Sequence, residues 1–185
     1  MKWEDTEQQV CSVARALSVL GERWTLLIIR DAFRGTRRFD DFQASLDITR
    51  HRLSERLKKL VSAGVLTRVP YQERPVRYEY RLTRKGLALY PILMTLSQWG
   101  DDWMDDGNGP PQYYRHSVCG KITRPVLTCD QCGDPLRPEE VSPQQGSVLS
   151  SYVTHLKSTG EALPSEGELA RAASQYWQAH IKELS

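Results

Sequence analysis

The stretch TRHRLSERLKKLVSAGVLTRVPYQERPVRYEYRLTRKG, residues 49–86, decides the fold of this chain. Its first part places apolar side chains at steps of four, three and one, which gives the narrow stripe of an amphipathic helix. The stripe residues are Leu53, Leu57, Leu60 and Val61. Thr49 is placed to cap this helix, and Gly64 is placed to end it in the left-handed conformation.

Two short extended runs follow the helix, at residues 65–71 and 76–82. Both contain β-branched and aromatic residues, and the second alternates tyrosine with charged side chains. The polar loop between them is Gln72-Glu73-Arg74-Pro75. We therefore predict a β-hairpin with a basic tip.

Three further helical patterns precede Thr49. Apolar residues recur at helical spacing over residues 11–20, 23–33 and 39–46, and Asp40 is placed to cap the last. Helices followed by a two-stranded wing form the winged helix-turn-helix. The predicted fold class is mainly α with a small β-hairpin (α+β): a winged helix-turn-helix, a small cysteine module and a helical tail.

After the hairpin, the sequence predicts a long helix from its cap Thr83 to Met104. Pro91 should kink this helix or lie near the start of its regular part. Two glycines and two prolines at 105–111 mark a linker.

We divide the chain into three regions. They are a DNA-binding and dimerisation domain at 8–106, a zinc-ribbon-like cysteine and histidine module at 107–140, and a helical tail at 141–185. In the tail, residues 148–157 and 165–184 have helical patterns, and Ser165 with Glu168 predicts a capping box. The sequence indicates no function for this tail.

The net charge of +2 hides an uneven distribution. Residues 49–85 contain eleven Lys or Arg and three Asp or Glu, whereas the rest of the chain contains fourteen basic and twenty acidic residues. A basic centre between acidic arms indicates a polyanionic partner that is met by one face.

The basic helix and hairpin suit double-stranded DNA. The major groove admits one α-helix, and the N-terminal end of such a helix usually reaches the base edges. The predicted recognition helix spans residues 49–61. Its predicted DNA-binding residues are Thr49, Arg50, His51, Arg52, Ser54, Glu55, Lys58 and Lys59. The DNA-contacting part of the hairpin is predicted at residues 70–78, from which Arg74 and Arg77 would contact the DNA backbone or the minor groove. The alternative is that the helix presents a solvated charged face to water.

Several motifs resemble those of the HxlR-type winged-helix transcriptional regulators, a MarR/HxlR-like family. The motifs are CSVARAL at 11–17, LGERWTLLI at 20–28, RFDDF at 38–42, LSERL at 53–57, GVL at 64–66, YEYRLTRKG at 78–86 and WG at 99–100. The resemblance covers roughly residues 8–104. It implies a cytoplasmic bacterial homodimer that represses or activates neighbouring genes, and we favour repression.

The resemblance also implies that the first and last helices of the domain form the dimer interface. The aromatic stripe of the last helix agrees, because it is too wide for so small a core to cover. The predicted interface residues are Tyr90, Leu93, Leu96, Trp99 and Trp103. The alternative is that this stripe packs only within the monomer.

In some HxlR-type regulators, a cysteine that matches Cys11 senses oxidants or electrophiles. The resemblance thus implies a redox-sensing role for Cys11, or control by a small-molecule or oxidant effector. Cys11 directly precedes a helix, whose dipole would favour the thiolate. The alternative, which we favour, is a small core or interface residue, because free cysteines are usually buried and inert.

Two short motifs in residues 107–140 have the spacing of zinc knuckles. His116-x2-Cys119-Gly is followed after nine residues by Cys129-x2-Cys132-Gly. Four such soft ligands suit tetrahedral zinc, so we predict a structural zinc ion. The alternatives are a metal-free turn and a disulfide between Cys129 and Cys132.

Other classes of protein fit the sequence poorly. Residues 1–7 lack the features of a signal peptide, and the longest strongly apolar run, 24–29, is too short to span a bilayer, so we expect a cytoplasmic protein. We find no nucleophile with a matched base, no glycine-rich phosphate loop and no carboxylate pair, and therefore expect no enzyme. The alternative function is a winged-helix protein-interaction adaptor that does not read DNA.

Overall fold

A computed structural model describes residues 10–144, 146–165, 168–169, 171–173 and 175–176. The chain divides into two compact units. One comprises residues 23–140, and the other comprises the described parts of 1–22 and 141–185. This division groups the cysteine module with the helix-turn-helix, and the three predicted region boundaries stay predictions.

The first four helices agree closely with the sequence analysis. They are α1 (Ser12–Leu20), α2 (Thr25–Phe33), α3 (Phe39–Leu46) and α4 (Arg50–Ser62). Thr49 occupies the N-cap position of α4, but its side chain makes no capping hydrogen bond. The predicted Asp40 cap is wrong, because α3 begins one residue earlier and Asp40 lies in its first turn.

The hairpin consists of β1 (Leu66–Glu73) and β2 (Val76–Leu82), which pair antiparallel from Leu66–Leu82 to Glu73–Val76. The register shifts between Pro70 and Gln72, as at a β-bulge. The β1 strand runs further than predicted, so only Arg74-Pro75 separates the strands, and the peptide bond between these two residues is cis. We call this hairpin the wing.

The predicted long helix is instead two helices, α5 (Arg84–Leu87) and α6 (Tyr90–Trp103). The Thr83 hydroxyl caps α5 as expected: it accepts from the Gly86 N–H at 3.1 Å. Pro91 lies in the first turn of α6, where a missing N–H costs no helical hydrogen bond. The expectation that Pro91 stands near a helix start is therefore confirmed, and the uninterrupted helix from Thr83 is wrong.

The core of the 23–140 unit gathers apolar residues from α2, α3, α4 and the start of the wing. Those that are fully or almost fully buried are Ile28, Ile29, Phe42, Leu46, Leu53, Leu57, Leu60, Val65 and Leu66. Each large aliphatic side chain buried in this way contributes about 1.5–3 kcal/mol. Three of the four predicted stripe residues of α4 are in this core, and Val61 is half-buried.

The remaining described residues form small elements. Strands β3 (Tyr114–Arg115) and β4 (Ile122–Thr123) pair antiparallel within the 23–140 unit. In the other unit, α7 (Ser147–Thr159) confirms the helix predicted at 148–157. Residues 168–169, 171–173 and 175–176 are also helical, and the rest of the helix predicted at 165–184 lies outside the described residues.

The predicted capping box at Ser165 is partly formed. The Glu168 carboxylate accepts from the Ser165 N–H at 3.3 Å and from its hydroxyl at 2.6 Å. These bonds lower the pKa of Glu168.

Candidate nucleic-acid interface

A buried carboxylate joins α2 to α3. Asp31 is only 2% exposed, and its Oδ1 accepts from Arg30 Nε at 2.8 Å. Its Oδ2 accepts from the Ser45 hydroxyl of α3, also at 2.8 Å. This bridge between α2 and α3 fixes the helix that leads into α4. Sequence reasoning missed Asp31, although an acidic residue inside the apolar run TLLIIRDAF was a usable signal.

The packing of α4 decides which of its side chains face solvent. Leu53, Leu57 and Leu60 are held in the core, so the opposite side of the helix is exposed. Of the predicted DNA-binding residues on this helix, Ser54 is half-buried and the others are exposed; they are Thr49, Arg50, His51, Arg52, Glu55, Lys58 and Lys59. We call α4 with these side chains the reading helix.

Weak surface contacts engage the N-terminal end of the reading helix. Arg50 pairs with Asp40 at 3.3 Å and its guanidinium lies 4.8 Å from the centre of the Phe39 ring. His51 Nδ1 lies 3.5 Å from a Glu55 oxygen, one turn along the helix. Ion pairs between such exposed groups contribute only about 0.2–1 kcal/mol, so a phosphate or a base edge could displace these partners.

The wing presents arginine at its tip and along its length. Arg74 and Arg77 are both exposed, as predicted. The guanidinium of Arg68 lies 3.7 Å from the centre of the Tyr78 ring, and that of Arg38 lies 4.7 Å from the centre of the Tyr71 ring. Arg38 and Arg68 thus extend the basic surface, and sequence analysis did not single them out, because pairing with a ring on another residue leaves no local pattern.

The wing is tied to the segment that leads into α3. The Tyr80 N–H donates to the Arg37 carbonyl at 2.8 Å, and Arg38 forms an isolated antiparallel bridge with Glu79. Burial raises the pKa of the Tyr80 hydroxyl, and the nearby Arg68 partly opposes this shift. The wing is therefore hydrogen-bonded to the helix-turn-helix as well as linked to it by the chain.

Comparison with known proteins agrees with this geometry. The family model described as HxlR-like helix-turn-helix matches residues 19–108. An uncharacterized HTH-type transcriptional regulator of Mycobacterium tuberculosis, Rv3095, is 47% identical over 135 residues, which cover 73% of this chain and 85% of the relative. This chain belongs to the HxlR-like helix-turn-helix family. It is a transcriptional regulator and not an enzyme.

Two further comparisons support this membership of the HxlR-like family. The uncharacterized regulator YvaP of Bacillus subtilis is 44% identical over 92 residues, which cover 49% of this chain and 85% of YvaP. The crystal structure of the candidate transcription factor PA1607 superposes with a TM-score of 0.69 at 37% identity, and the match covers 77% of this chain and 99% of PA1607. The winged helix-turn-helix fold is thus confirmed.

The residues predicted for the dimer interface of this HxlR-like protein differ in their exposure and their contacts. Leu96, Trp99 and Trp103 are 46%, 55% and 77% exposed and share one side of α6. Tyr90 is 44% exposed, and its ring packs on Phe33 with 5.1 Å between ring centres. Leu93 is half-buried. We call Leu96, Trp99 and Trp103 the α6 stripe.

The predicted redox residue, Cys11, occupies the N-cap of α1 and is exposed. It is therefore not a core residue of the described chain. A sensing role and a role in an interface both stay predictions.

The two cysteine motifs adopt the same kind of turn. In the first, the Gly120 N–H donates to the His116 carbonyl at 2.8 Å, and in the second the Gly133 N–H donates to the Cys129 carbonyl at 2.9 Å. Both glycines have positive φ, at 68° and 80°, which explains why glycine follows each cysteine. In the second motif, the backbone N–H groups of Cys132 and Gln131 lower the pKa of Cys129.

These turns place the four predicted zinc ligands as two pairs. Cys119 Sγ lies 3.5 Å from His116 Nδ1, and all four cysteines of the chain are free, so the alternative disulfide is not formed. Within the described residues, no three His, Cys, Asp or Glu side chains are placed to hold one metal ion. The donor types fit zinc, but the arrangement is not a closed four-ligand site, and zinc stays a prediction.

Among the helices in the described part of the chain, none combines the length and the apolar character that a membrane span requires.

Proposed function

We propose that this HxlR-like regulator binds a specific double-stranded DNA operator as a cytoplasmic homodimer and represses adjacent genes. The reading helix lies in the major groove, and Arg74 and Arg77 of the wing contact the backbone or the minor groove. The observation that carries the proposal is the exposed, cationic N-terminal half of α4 on a helix whose other side is locked into the core.

The α6 stripe supports the homodimer. Three large apolar side chains on one side of a helix are costly to leave in water, and a second copy would cover them with the same residues. In a two-fold dimer, the two reading helices would meet half-sites spaced by about one helical turn of DNA, roughly 34–36 Å, or a multiple of it. A palindromic operator is therefore expected.

The direct test uses labelled DNA from upstream of the protein's own gene and a shuffled duplex of the same composition. Fluorescence anisotropy at a series of salt concentrations should show that the affinity for both duplexes falls with salt, with a log–log slope near −0.9 per neutralised phosphate. The upstream DNA should bind more tightly by a factor of roughly 10³ or more. Equal affinities for the two duplexes at every salt concentration would exclude sequence reading. No binding even at low salt would favour the adaptor function.

Control through Cys11 is a second part of the proposal. Because Cys11 is exposed, two copies could form a disulfide in which two thiols give up two electrons and two protons and hydrogen peroxide is reduced to water. Peroxide should then change operator affinity of the wild-type protein and not of Cys11→Ser. An identical peroxide response of both proteins would remove Cys11 as the sensor.

A further inference from the structure

A cavity of about 290 Å³ lies between α6 and the β3–β4 hairpin, within the 23–140 unit. Its apolar wall includes Met94 of α6, Tyr114 and Ile122 of the hairpin strands, and Pro125. The volume is near the lower end of the range typical of small-molecule sites, about 300–1,000 Å³. A mostly apolar wall with a few polar groups is the usual composition of such sites.

The polar groups of this cavity carry an excess negative charge. Asp101, Asp102 and Arg124 all line it, and Asp102 forms an ion pair with Arg124. Asp101 is half-buried, and its carboxylate has no hydrogen bond and no ion pair within the described residues. One half-buried carboxylate at the cavity therefore has no counter-charge within ion-pair distance, and a cationic ligand would supply one.

A second cavity of about 270 Å³ adjoins the first and shares Asp101, Gln112 and Tyr114 with it. Arg30 and Arg34 also line this second cavity. Arg30 Nη2 lies 2.8 Å and Arg34 Nη1 lies 4.0 Å from Asp31 Oδ1. Arg34 Nη2 also donates to the side-chain oxygen of Gln112, and neither arginine forms an ion pair with Asp101. Neither Arg30 nor Arg34 therefore lies close enough to Asp101 to neutralise its charge as an ion-pair partner.

We propose that the first cavity binds a small organic cation. The ligand has an aromatic or aliphatic body, which contacts Met94, Tyr114 and Ile122, and one protonated amine, which pairs with Asp101. A cation beside a tyrosine ring gains a further favourable interaction with the face of that ring.

The position of the cavity on α6 suits an effector site. At about 100° per residue, Met94, Gln98 and Asp101 lie on the side of α6 roughly opposite the α6 stripe. A dimer formed through the stripe would therefore leave the cavity open. A ligand held between α6 and the hairpin would act on the same helix that carries the proposed dimer contacts.

The test uses dansylcadaverine as the probe, because it joins an aromatic body to one primary amine and its fluorescence rises in an apolar site. Its N-acetyl derivative has the same body without the charge. The full-length protein should bind the amine at least about tenfold more tightly than the acetylated probe, since tenfold corresponds to about 1.4 kcal/mol. Asp101→Asn should remove this preference, whereas Asp41→Asn, which changes an exposed acid on α3, should keep it.

A second variant keeps the test valid if Asp101→Asn alters the fold, as checked by circular dichroism. Ile122→Trp places a larger side chain at the half-exposed rim of the cavity and should weaken binding of both probes about tenfold or more. Equal affinity of the two probes for the wild-type protein, or unchanged binding by Ile122→Trp, would overturn the proposal. Because no DNA is present in the assay, its failure would leave the DNA-binding proposal standing.

Discussion

Arg50 offers the sharpest test of base reading by a single side chain. It is 72% exposed in the first turn of α4, and the one ion pair it makes with a described residue, Asp40, joins two exposed groups. Arg50→Ala should therefore lower operator affinity by about 1–3 kcal/mol, or roughly 5- to 150-fold, and relax specificity at one base position. Competition anisotropy with single-position operator variants measures both effects.

The matched control for Arg50 is Arg137, which is also exposed and also pairs with an exposed carboxylate, that of Glu140 at 3.6 Å. Arg137→Ala should leave operator affinity and specificity unchanged. Thermal unfolding of both variants should stay close to that of the wild type, because exposed pairs add little stability. If Arg50→Ala keeps the wild-type base preference at every position, Arg50 does not read the operator.

At the scale of elements, the docking of α5 on the wing depends on a glycine. A Cβ at Gly86 would lie 2.3 Å from the carbonyl oxygen of Val65 and 2.9 Å from a Leu82 methyl carbon. Gly86→Ala should therefore push α5 away from the start of the wing. The free energy of unfolding should fall by about 1–3 kcal/mol or more, as is typical of an overpacked site. Urea denaturation measures the change.

Gly100, in the last turn of α6, is the control for Gly86. A Cβ there would meet no atom within 4 Å in the described chain. Gly100→Ala should raise the free energy of unfolding by up to about 1 kcal/mol through helix propensity. A lower free energy of unfolding for Gly86→Ala and a higher one for Gly100→Ala would agree with the close packing at Gly86. An unchanged free energy of unfolding for Gly86→Ala would contradict it.

The two cysteine turns are the other elements with a measurable prediction. If they share a structural zinc ion, protein purified without chelator should contain one zinc per chain by mass spectrometry of the metal. Cys129→Ser should lose that metal, and Cys11→Ser should retain it. A metal-free wild-type protein that keeps the same fold would assign these residues to a metal-free pair of turns.

For the whole molecule, the α6 stripe predicts the oligomeric state. Trp99→Asp puts a charge at the centre of the stripe and should shift the protein from dimer to monomer in light scattering. Operator affinity should fall with it, because two linked half-sites gain from effective concentration. Leu163→Asp, at an apolar residue of similar exposure, 56%, should stay dimeric. A wild-type protein that is monomeric at all concentrations would contradict the stripe's assignment.

Sequence analysis was most successful where periodicity and burial agree. The bounds of α3 were predicted correctly, and those of α4 differ by one residue at each end, because their apolar stripes pack directly into the core. The break before Tyr90 was missed, because the residue types at 88–89 are compatible with a helix and only Pro91 indicates an interruption.

The side chains that sequence analysis missed share a different property. Asp31 works through Ser45, fourteen positions away, and Arg38 lies over a ring thirty-three positions away. Such pairs depend on tertiary contact, which no local pattern encodes. Tyr90 was predicted to lie in the dimer interface because it follows the spacing of Leu93 and Leu96; it is 44% exposed, and the contact of its ring with Phe33 is a further feature that this spacing did not indicate.

The hydrogen bond from Tyr80 to Arg37 has a consequence for the operator itself. It joins the wing to the segment that leads into α3, so the distance between the wing and the reading helix should stay nearly constant. The two sites on the duplex that these elements contact should then also lie a fixed distance apart. Inserting a single base pair between these two DNA sites would rotate one relative to the other by about a tenth of a turn. The wing and the reading helix could then not contact both sites at once. Operators for this protein should therefore tolerate base substitutions more readily than insertions or deletions of base pairs.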